Sequence, residues 1–234
     1  MPTPVVFLHG FAATARHWDR VVDALPPERF TPLALDLADA DPLTPDGVAA
    51  LVAGSCYERF VLVGYSMGGR LALHTALAIP ERVGRLVLIS ASAGIADAGE
   101  RADRRAADEA LAAAIEQDSI EEFVERWRRV PLFANDPDWV REEVAADELR
   151  CSPAVLAATL RNLGAAAMTP MWDRLGELRM PVALLTGAND GAYVDAGRRM
   201  AAAIGHATLS VVPAVGHRLA LEAPKAVVAA VAGA

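Results

Sequence analysis

The sequence predicts an α/β fold in which a doubly wound, mostly parallel sheet carries a helical insertion between two core strands. Short apolar runs of strand length alternate with longer stretches of helical pattern, which is the order of β-α-β units. Each run is apolar at consecutive positions, as expected for strands that helices cover on both faces. One long segment in the middle of the chain breaks this alternation, because its pattern is helical throughout.

Six strands and five core helices follow from these patterns. The predicted strands are Val5–Leu8, Pro32–Leu35, Phe60–Val63, Leu86–Ile89, Val182–Thr186 and Thr208–Val212. The predicted helices lie near Trp18–Leu25, Asp46–Ala53, Met67–Ala78, Val194–Ile204 and Lys225–Val231. The number of strands indicates an open sheet and not a barrel.

The segment from about Ile95 to Leu178 is charged and alanine-rich and shows no strand pattern. Prolines divide it into several short helices; they are Pro131, Pro137, Pro153 and Pro170. Open α/β sheets bind ligands at the carboxyl ends of their strands, so we expect this segment to form a lid there. The predicted organisation is a core of residues 1–94, a lid of residues 95–178 and a second core segment of residues 179–234.

Composition and charge disfavour several classes of function. A formal net charge of −8 over 234 residues argues against nucleic acid as a partner. No apolar run approaches the ~20 residues that a membrane-spanning helix needs, and the N-terminus lacks the pattern of a secretory signal. Cys56 and Cys151 have neither disulfide-framework nor metal-ligand spacing. We therefore expect a cytoplasmic protein that binds neither nucleic acid nor membrane; no oligomeric state is predicted.

The strongest chemical signal is the run Gly64-Tyr65-Ser66-Met67-Gly68-Gly69. It fits the G-x-S-x-G pattern, follows a predicted strand and precedes a predicted helix, which is the context that this motif requires. The flanking glycines allow a tight turn that raises Ser66 above the sheet. We predict that Ser66 is the reactive hydroxyl; a chance match in a glycine- and alanine-rich chain is the alternative.

A reactive serine needs a base and a carboxylate that orients the base. His217 is the one histidine that is both late in the chain and just after a predicted strand; the others are His9, His17, His74 and His206. Asp190 follows the fifth strand, whereas Ser90 occupies the other position open to the acid, after the fourth strand. The order Ser66, Asp190, His217 is that of the α/β hydrolases. The sequence therefore predicts an α/β-hydrolase fold with this catalytic triad.

Two backbone N–H groups are expected to form an oxyanion hole beside Ser66. Met67 N–H follows the serine at the start of a helix. Phe11 N–H belongs to the loop His9-Gly10-Phe11, directly after the first strand. Simple loop turning is the alternative explanation for His9 and Gly10. The sequence contains no phosphate-binding loop, dinucleotide fingerprint or H-E-x-x-H motif, so we expect catalysis without cofactor or metal.

Arginines provide a further indication of the substrate. Arg70 lies one helical turn after Ser66, where the helix dipole disfavours a cation, so it needs a local reason to be there. A substrate carboxylate would supply that reason, and a neighbouring acidic side chain is the alternative. In the insertion, Arg101, Arg104 and Arg105 fall at helical spacing, but interleaved acidic residues also fit a solvated helix face.

Four motifs together resemble the 2-succinyl-6-hydroxy-2,4-cyclohexadiene-1-carboxylate synthases of menaquinone biosynthesis. They are Gly64-Tyr65-Ser66-Met67-Gly68-Gly69-Arg70, Glu100-Arg101-x-x-Arg104-x-x-x-Asp108, Trp127-x-x-x-Pro131-Leu132-Phe133-Ala134 and Leu149-Arg150. The similarity extends over nearly the whole chain. It implies a cofactor-free lyase that eliminates pyruvate from 2-succinyl-5-enolpyruvyl-6-hydroxy-3-cyclohexene-1-carboxylate.

The resemblance also implies roles for individual residues. Ser66, made basic through His217 and Asp190, would abstract a ring proton and so start the elimination. Carboxylates of this small polycarboxylate substrate would be held by Arg70, Arg104 and Arg150, in a pocket that Tyr65 and Trp127 line. Guanidinium groups suit this task because they bind carboxylates through two parallel hydrogen bonds.

Two segments depart from the family pattern. The run Asp36-Leu37-Ala38-Asp39-Ala40-Asp41-Pro42 stands where many relatives carry a Gly-His-Gly turn, and Gly191, Ala192 and Tyr193 follow the acid where relatives often show lysine and phenylalanine. Both changes affect the fit of the substrate and leave the triad and the arginines in place. Two other functions stay open: a carboxylesterase or other hydrolase of small esters or carbon–carbon bonds, and a catalytically silent binding protein.

Overall fold

A six-stranded parallel sheet forms the centre of the molecule in the computed structural model, which describes residues 1–233. The strand order is β2-β1-β3-β4-β5-β6. The strands are β1 (Thr3–Leu8), β2 (Phe30–Leu35), β3 (Phe60–Tyr65), β4 (Val83–Ile89), β5 (Val182–Gly187) and β6 (Thr208–Val212). All six predicted strands are confirmed, as is the open, doubly wound α/β architecture. Residue 234, the predicted end of the second core segment, lies outside the described residues.

Ten α-helices connect and cover the strands within residues 1–233. They are α1 (Asp19–Ala24), α2 (Pro45–Ser55), α3 (Met67–Ala78), α4 (Ala98–Ile115), α5 (Ile120–Trp127), α6 (Asp138–Glu148), α7 (Pro153–Leu163), α8 (Gly191–Ile204), α9 (Leu219–Glu222) and α10 (Pro224–Ala232). The five predicted core helices are all present. The first of them begins as a 3-10 helix over Ala15–Trp18 before α1. No helix in this part of the chain is long and apolar enough to cross a membrane.

Both faces of the sheet are covered by apolar side chains, which explains the consecutive apolar residues of each strand. In β1, Val5 and Phe7 pack in the cluster that contains α1 and α10, while Val6 and Leu8 pack in the cluster that contains α2, α3 and α8. Successive strand residues point to opposite faces, so a strand between two helical layers has no polar side.

The strands are aligned so that the loops after β1 and β3 begin side by side. Leu8 at the end of β1 pairs with Gly64 near the end of β3, and Gly64 pairs with Leu88 of β4. The carboxyl ends of parallel strands are the edge at which such sheets bind ligands.

The segment between β4 and β5 contains helices and no strand, as predicted, and α4, α5 and α7 share a small apolar core of their own. Phe123 of α5 and Leu160 of α7 lie in this core together with Ala12, which follows β1. The helix α6 packs through Val140 and Val144 on Leu221 of α9, which follows β6. This segment therefore contacts the loops at the carboxyl ends of the strands, where the sequence predicts a lid.

Close packing at Gly68 joins the start of α3 to the end of β1. A β-carbon on Gly68 would lie 2.3 Å from the carbonyl oxygens of both Leu8 and His9. A β-carbon on Gly64 would lie 2.3 Å from the carbonyl oxygen of Gly68. These neighbours are main-chain atoms of core elements, so only glycine fits without moving a strand or a helix.

We expect Gly68→Ala to lower the free energy of unfolding by about 2 kcal/mol or more, because the added methyl group must separate α3 from β1. Gly54→Ala is the matched control, since Gly54 lies in α2 and a β-carbon added there would meet no atom within 4 Å. That change should raise the free energy of unfolding by about 0.5–1 kcal/mol through helix propensity. Urea denaturation of both variants measures the difference, and equal effects would contradict the packing argument.

Candidate active site

Ser66 occupies a strained turn between β3 and α3. Its backbone has φ 53° and ψ −112°, a left-handed conformation that costs a non-glycine residue on the order of 1–3 kcal/mol. The turn is held by a 2.9 Å hydrogen bond from Ser66 N–H to the carbonyl of Ile89 in β4. The glycine packing around Gly68 restrains it from the other side. This is the geometry of a nucleophile elbow, which projects the hydroxyl from the sheet edge.

The structure brings the three predicted triad residues together. Nε2 of His217 lies 3.1 Å from Oγ of Ser66, and Nδ1 of His217 lies 2.8 Å from Oδ2 of Asp190. Both His217 and Asp190 are buried. With the carboxylate as acceptor, Nδ1 carries the proton, so Nε2 is free to accept the proton of the Ser66 hydroxyl.

Loop packing places His217 above the end of β5. Asn189 N–H donates to the carbonyl of Val215 over 2.9 Å, which joins the loop that precedes Asp190 to the loop that precedes His217. Gly216 N–H donates to the Glu222 carboxylate over 3.0 Å. The acid and the base are thus held by two loops that are fixed to one another.

Aromatic rings surround the imidazole of His217. Its ring centroid lies 5.2 Å from that of Tyr65, 4.7 Å from that of Tyr193 and 6.1 Å from that of Phe133. His17 stacks on Tyr65 with an interplanar angle of 9° and a centroid distance of 4.6 Å. These contacts exclude water from the sides of the imidazole and restrict its rotation.

The loop after β1 presents the predicted oxyanion donors. His9 Nε2 accepts a 3.0 Å hydrogen bond from Leu37 N–H, so His9 Nδ1 carries the proton and donates to the Gly10 carbonyl over 2.8 Å. That carbonyl and Phe11 N–H share one peptide plane, so His9 also fixes the direction of the Phe11 N–H. Within residues 1–233 neither Phe11 N–H nor Met67 N–H has an acceptor. His9 therefore has two roles: its hydrogen bonds hold the loop after β1 in place, and they orient the Phe11 N–H.

A cavity of about 480 Å³ opens beside Ser66. Core residues form one side of it and residues of the segment between β4 and β5 form the other. The cavity contains six of the residues that the sequence singled out besides the triad: Phe11, Tyr65, Met67, Arg70, Arg104 and Trp127. Its wall is partly aromatic, because Trp127 packs edge-on against Phe11 at 5.1 Å and against Phe133 at 5.6 Å.

Arg70 is a buried cation without an ion pair in the described part of the chain. Its Nε is fully enclosed and has no hydrogen-bond partner there, and its side chain lines the cavity. Burial lowers the pKa of the Arg70 guanidinium from its ordinary value. The alternative explanation for Arg70, pairing with a neighbouring acid, does not fit this arrangement. The guanidinium can instead accept a carboxylate from the cavity.

Of the arginines Arg101, Arg104 and Arg105 in α4, only one lines the cavity. Arg104 does so, with its Nε 2.7 Å from Oδ1 of Asp108, whose second oxygen is enclosed without a partner within residues 1–233. Arg101 and Arg105 instead donate to the main-chain oxygens of Ile95 and Ala166.

Arg150 does not lie where the resemblance implied. Its side chain is exposed and lines two smaller cavities, of about 260 and 220 Å³, but not the cavity of Ser66. The reason is the end of α6: Glu148, its last residue, turns inward, so the residues that immediately follow point outward. All three cavities meet at Ala13.

Sequence reasoning missed a buried ionic cluster next to His217. Arg218 Nε lies 2.7 Å from Oδ2 of Asp136, and its Nη2 lies 3.4 Å from Oε1 of Glu148. All three side chains are more than nine-tenths buried, and Arg218 lines the cavity. Burial raises the pKa of Asp136, and it raises the pKa of Glu148 to about 7. The one available signal was a charged residue directly after the predicted base.

His17 and Tyr193 were also missed as cavity residues. His17 was named only among the histidines other than the predicted base, yet its ring is buried against Tyr65, and burial lowers its pKa to about 3. It is therefore a neutral imidazole at ordinary pH. Tyr193 was noted only as a departure from the family pattern, and its ring lies beside His217.

Comparison with known proteins identifies relatives of the whole chain. Residues 5–231 match the alpha/beta hydrolase family. A Bacillus subtilis protein provisionally named 2-succinyl-6-hydroxy-2,4-cyclohexadiene-1-carboxylate synthase is 31% identical over 94% of this chain and 86% of its own length. The Klebsiella pneumoniae synthase of that name is 29% identical, over 97% of this chain and 92% of its own length.

A solved structure agrees with these relatives. The structure of MenH from S. aureus superposes with a TM-score of 0.92 at 27% identity, covering 99% of this chain and 92% of that one. The resemblance seen in the sequence motifs is thus confirmed over the full fold. The chain belongs to the α/β hydrolase family and, within it, to the 2-succinyl-6-hydroxy-2,4-cyclohexadiene-1-carboxylate synthases.

Proposed function

We propose that this enzyme eliminates pyruvate from 2-succinyl-5-enolpyruvyl-6-hydroxy-3-cyclohexene-1-carboxylate to give 2-succinyl-6-hydroxy-2,4-cyclohexadiene-1-carboxylate. The observation that carries the proposal is the unpaired, buried guanidinium of Arg70 in the cavity of Ser66. A buried charge without a partner is costly, and an anionic substrate removes that cost when it binds. A neutral ester would leave the charge unpaired.

The first step is removal of the proton from the ring carbon that bears the succinyl group. His217 Nε2 accepts the Ser66 proton over the 3.1 Å hydrogen bond, and the serine oxygen takes the ring proton. Asp190 stabilises the imidazolium that forms. The ketone of the succinyl group lies next to this carbon, so the negative charge moves onto the ketone oxygen.

The enolate oxygen then needs hydrogen-bond donors. Phe11 N–H and Met67 N–H have no protein acceptor in the described residues and flank Ser66, so they are suited to this task. The electrons of the enolate return to the ring, the ring double bond shifts, and the bond from carbon to the enolpyruvyl oxygen breaks. Enolpyruvate leaves as an anion. The proton that Ser66 and His217 removed from the ring is then transferred to its methylene carbon, which gives pyruvate, so atoms and charge balance.

The carboxylates of the substrate are held by arginines that line the cavity. Arg70 offers a guanidinium without an ion pair in the described residues, and Arg104 offers one that Asp108 orients. Arg150 has no place in this proposal because it lies outside the cavity. The proposed reaction uses only side chains and backbone donors of the chain, without metal or cofactor. Its substrate is a small polycarboxylate in the cytoplasm, and neither nucleic acid nor membrane is a partner in this proposal.

Ester hydrolysis is the second candidate, because the Ser66–His217–Asp190 geometry and two free N–H donors suit it equally well. A hydrolase forms an acyl-enzyme, so activated esters would give a burst of product in the first turnover. The proposed lyase forms no covalent intermediate with its own substrate.

Ser66→Ala is expected to lower kcat for pyruvate release by about a thousandfold or more, since no other hydroxyl reaches His217 Nε2. Release is followed by coupled reduction of pyruvate with lactate dehydrogenase. Ser92→Ala is the matched control, because Ser92 lines the same cavity without contacting the triad, and its activity should stay near that of the parent enzyme. Substantial release by Ser66→Ala would contradict the mechanism.

Arg70→Met should lower kcat/KM for pyruvate release by about tenfold to a hundredfold, the value of a charge-assisted carboxylate contact. Because the charge is buried without a partner, the same change should raise the free energy of unfolding. Hydrolysis of a neutral acetate ester by the same variant should stay nearly unchanged. Arg105→Met is the matched control outside the cavity. Equal losses toward both substrates would argue against carboxylate binding at Arg70.

A further inference from the structure

Arg218 is held rigidly at the wall of the cavity. Its Nε and Nη2 face Asp136 and Glu148, and its guanidinium carbon lies 4.0 Å from the centroid of the Phe133 ring. These contacts come from three positions of the segment between β4 and β5 and fix both the position and the plane of the group. A guanidinium fixed in this way loses little freedom when it binds a further acceptor.

One nitrogen of Arg218 remains available. Nη1 has no hydrogen-bond acceptor within residues 1–233. A fully enclosed nitrogen without an acceptor would be a buried, unsatisfied donor, and Nη1 is not one, so it keeps some accessible surface. The cavity of Ser66 is the space that Arg218 lines, and the side chain as a whole is only 8% exposed. We therefore assign Nη1 to the part of Arg218 that lines the cavity.

We propose that Arg218 binds a carboxylate of the substrate through Nη1, as a specificity-determining residue that Asp136 and Glu148 position. This inference rests on the proposed function. It gives the cavity a third carboxylate-binding cation besides Arg70 and Arg104. The resemblance also implied three such arginines, but with Arg150 as the third. Arg218 directly follows His217 in the chain, whereas Arg70 lies one helical turn beyond Ser66.

Charge neutrality of the cluster favours this role. Two ionised acids around one arginine would leave a net negative charge and would repel a substrate carboxylate. One oxygen of Glu148 is enclosed without a donor in the described residues, which favours the neutral acid. Burial raises the pKa of Glu148 to about 7, in the same direction. With Glu148 neutral, Asp136 balances Arg218, and the cluster does not oppose an incoming anion.

The surroundings of Arg218 differ from those of the other two cations. Arg218 contributes to lowering the pKa of His17 through its charge, so it lies near His17, which stacks on Tyr65. Arg70 is close enough to Arg104 and Asp108 for their charges to act on its own pKa. The cavity thus has one cationic region at Arg70 and Arg104 and another at Arg218, which suits a substrate with carboxylates on different arms.

The test compares two multiple variants that lose the same ion pairs. Asp136→Asn/Glu148→Gln keeps Arg218 but removes both acids, and the second variant adds Arg218→Met to these changes. Loss of the acids removes the ion pairs that position Arg218 but keeps its guanidinium, so the double variant supplies the reference KM for pyruvate release. The triple variant should have a KM at least about tenfold above that of the double variant. Equal KM values would overturn the proposal and leave Arg218 a structural link.

Arg218→Lys covers the case in which the multiple variants do not fold. Lysine keeps a positive charge toward both acids but lacks the fork that presents Nη1. KM should rise about tenfold while the thermal unfolding midpoint stays close to that of the parent. An unchanged KM in this folded variant would overturn the role of Arg218 alone. Absence of pyruvate release by the parent enzyme would overturn the proposed function together with this inference.

Discussion

The close approach of α3 to the end of β1 is the constraint on which the site depends. Gly68 allows the first turn of α3 to touch the Leu8 and His9 carbonyls, and this contact fixes the strained turn at Ser66. It also brings Met67 N–H toward the loop that carries Phe11. The predicted reactive hydroxyl and the two predicted oxyanion donors therefore derive from one main-chain packing arrangement, and side chains contribute only the predicted base, the predicted acid and the proposed substrate contacts.

The charges around the cavity are only partly balanced by the protein. Arg70 has no ion partner within residues 1–233, whereas Arg104 has Asp108 and Arg218 has two acids. An enclosed guanidinium without a partner lowers the stability of the folded chain. Such a charge persists where function needs it, because the energy that is lost in folding is recovered when an anion binds. In the proposed function, stability and substrate affinity are thus opposed at Arg70.

The parts of the molecule that the sequence predicted are those that local pattern determines. Strands followed from consecutive apolar residues, and Ser66, Asp190 and His217 followed from motifs placed at strand ends. The cluster of Arg218, Asp136 and Glu148 was not predictable, because its members are 82 and 70 residues apart in the chain and meet only through packing of the helical segment. The direction of Arg150 was likewise set by the end of α6, which periodicity does not locate to a single residue.

The same core can serve hydrolysis or elimination, and in the proposed function the cations around the cavity determine which. The triad and the N–H donors provide a base and a site for negative charge, and both reactions need these. Arg104, Trp127 and the acids that hold Arg218 come from the helical segment, whereas Arg70 and Arg218 come from the core, so both parts of the chain shape the cavity in which the proposed substrate binds. With a neutral ester, a serine that its base activates would form an acyl-enzyme, which water then hydrolyses. The same base beside a polycarboxylate with an acidic ring proton and a good leaving group gives elimination, without a change in the catalytic residues.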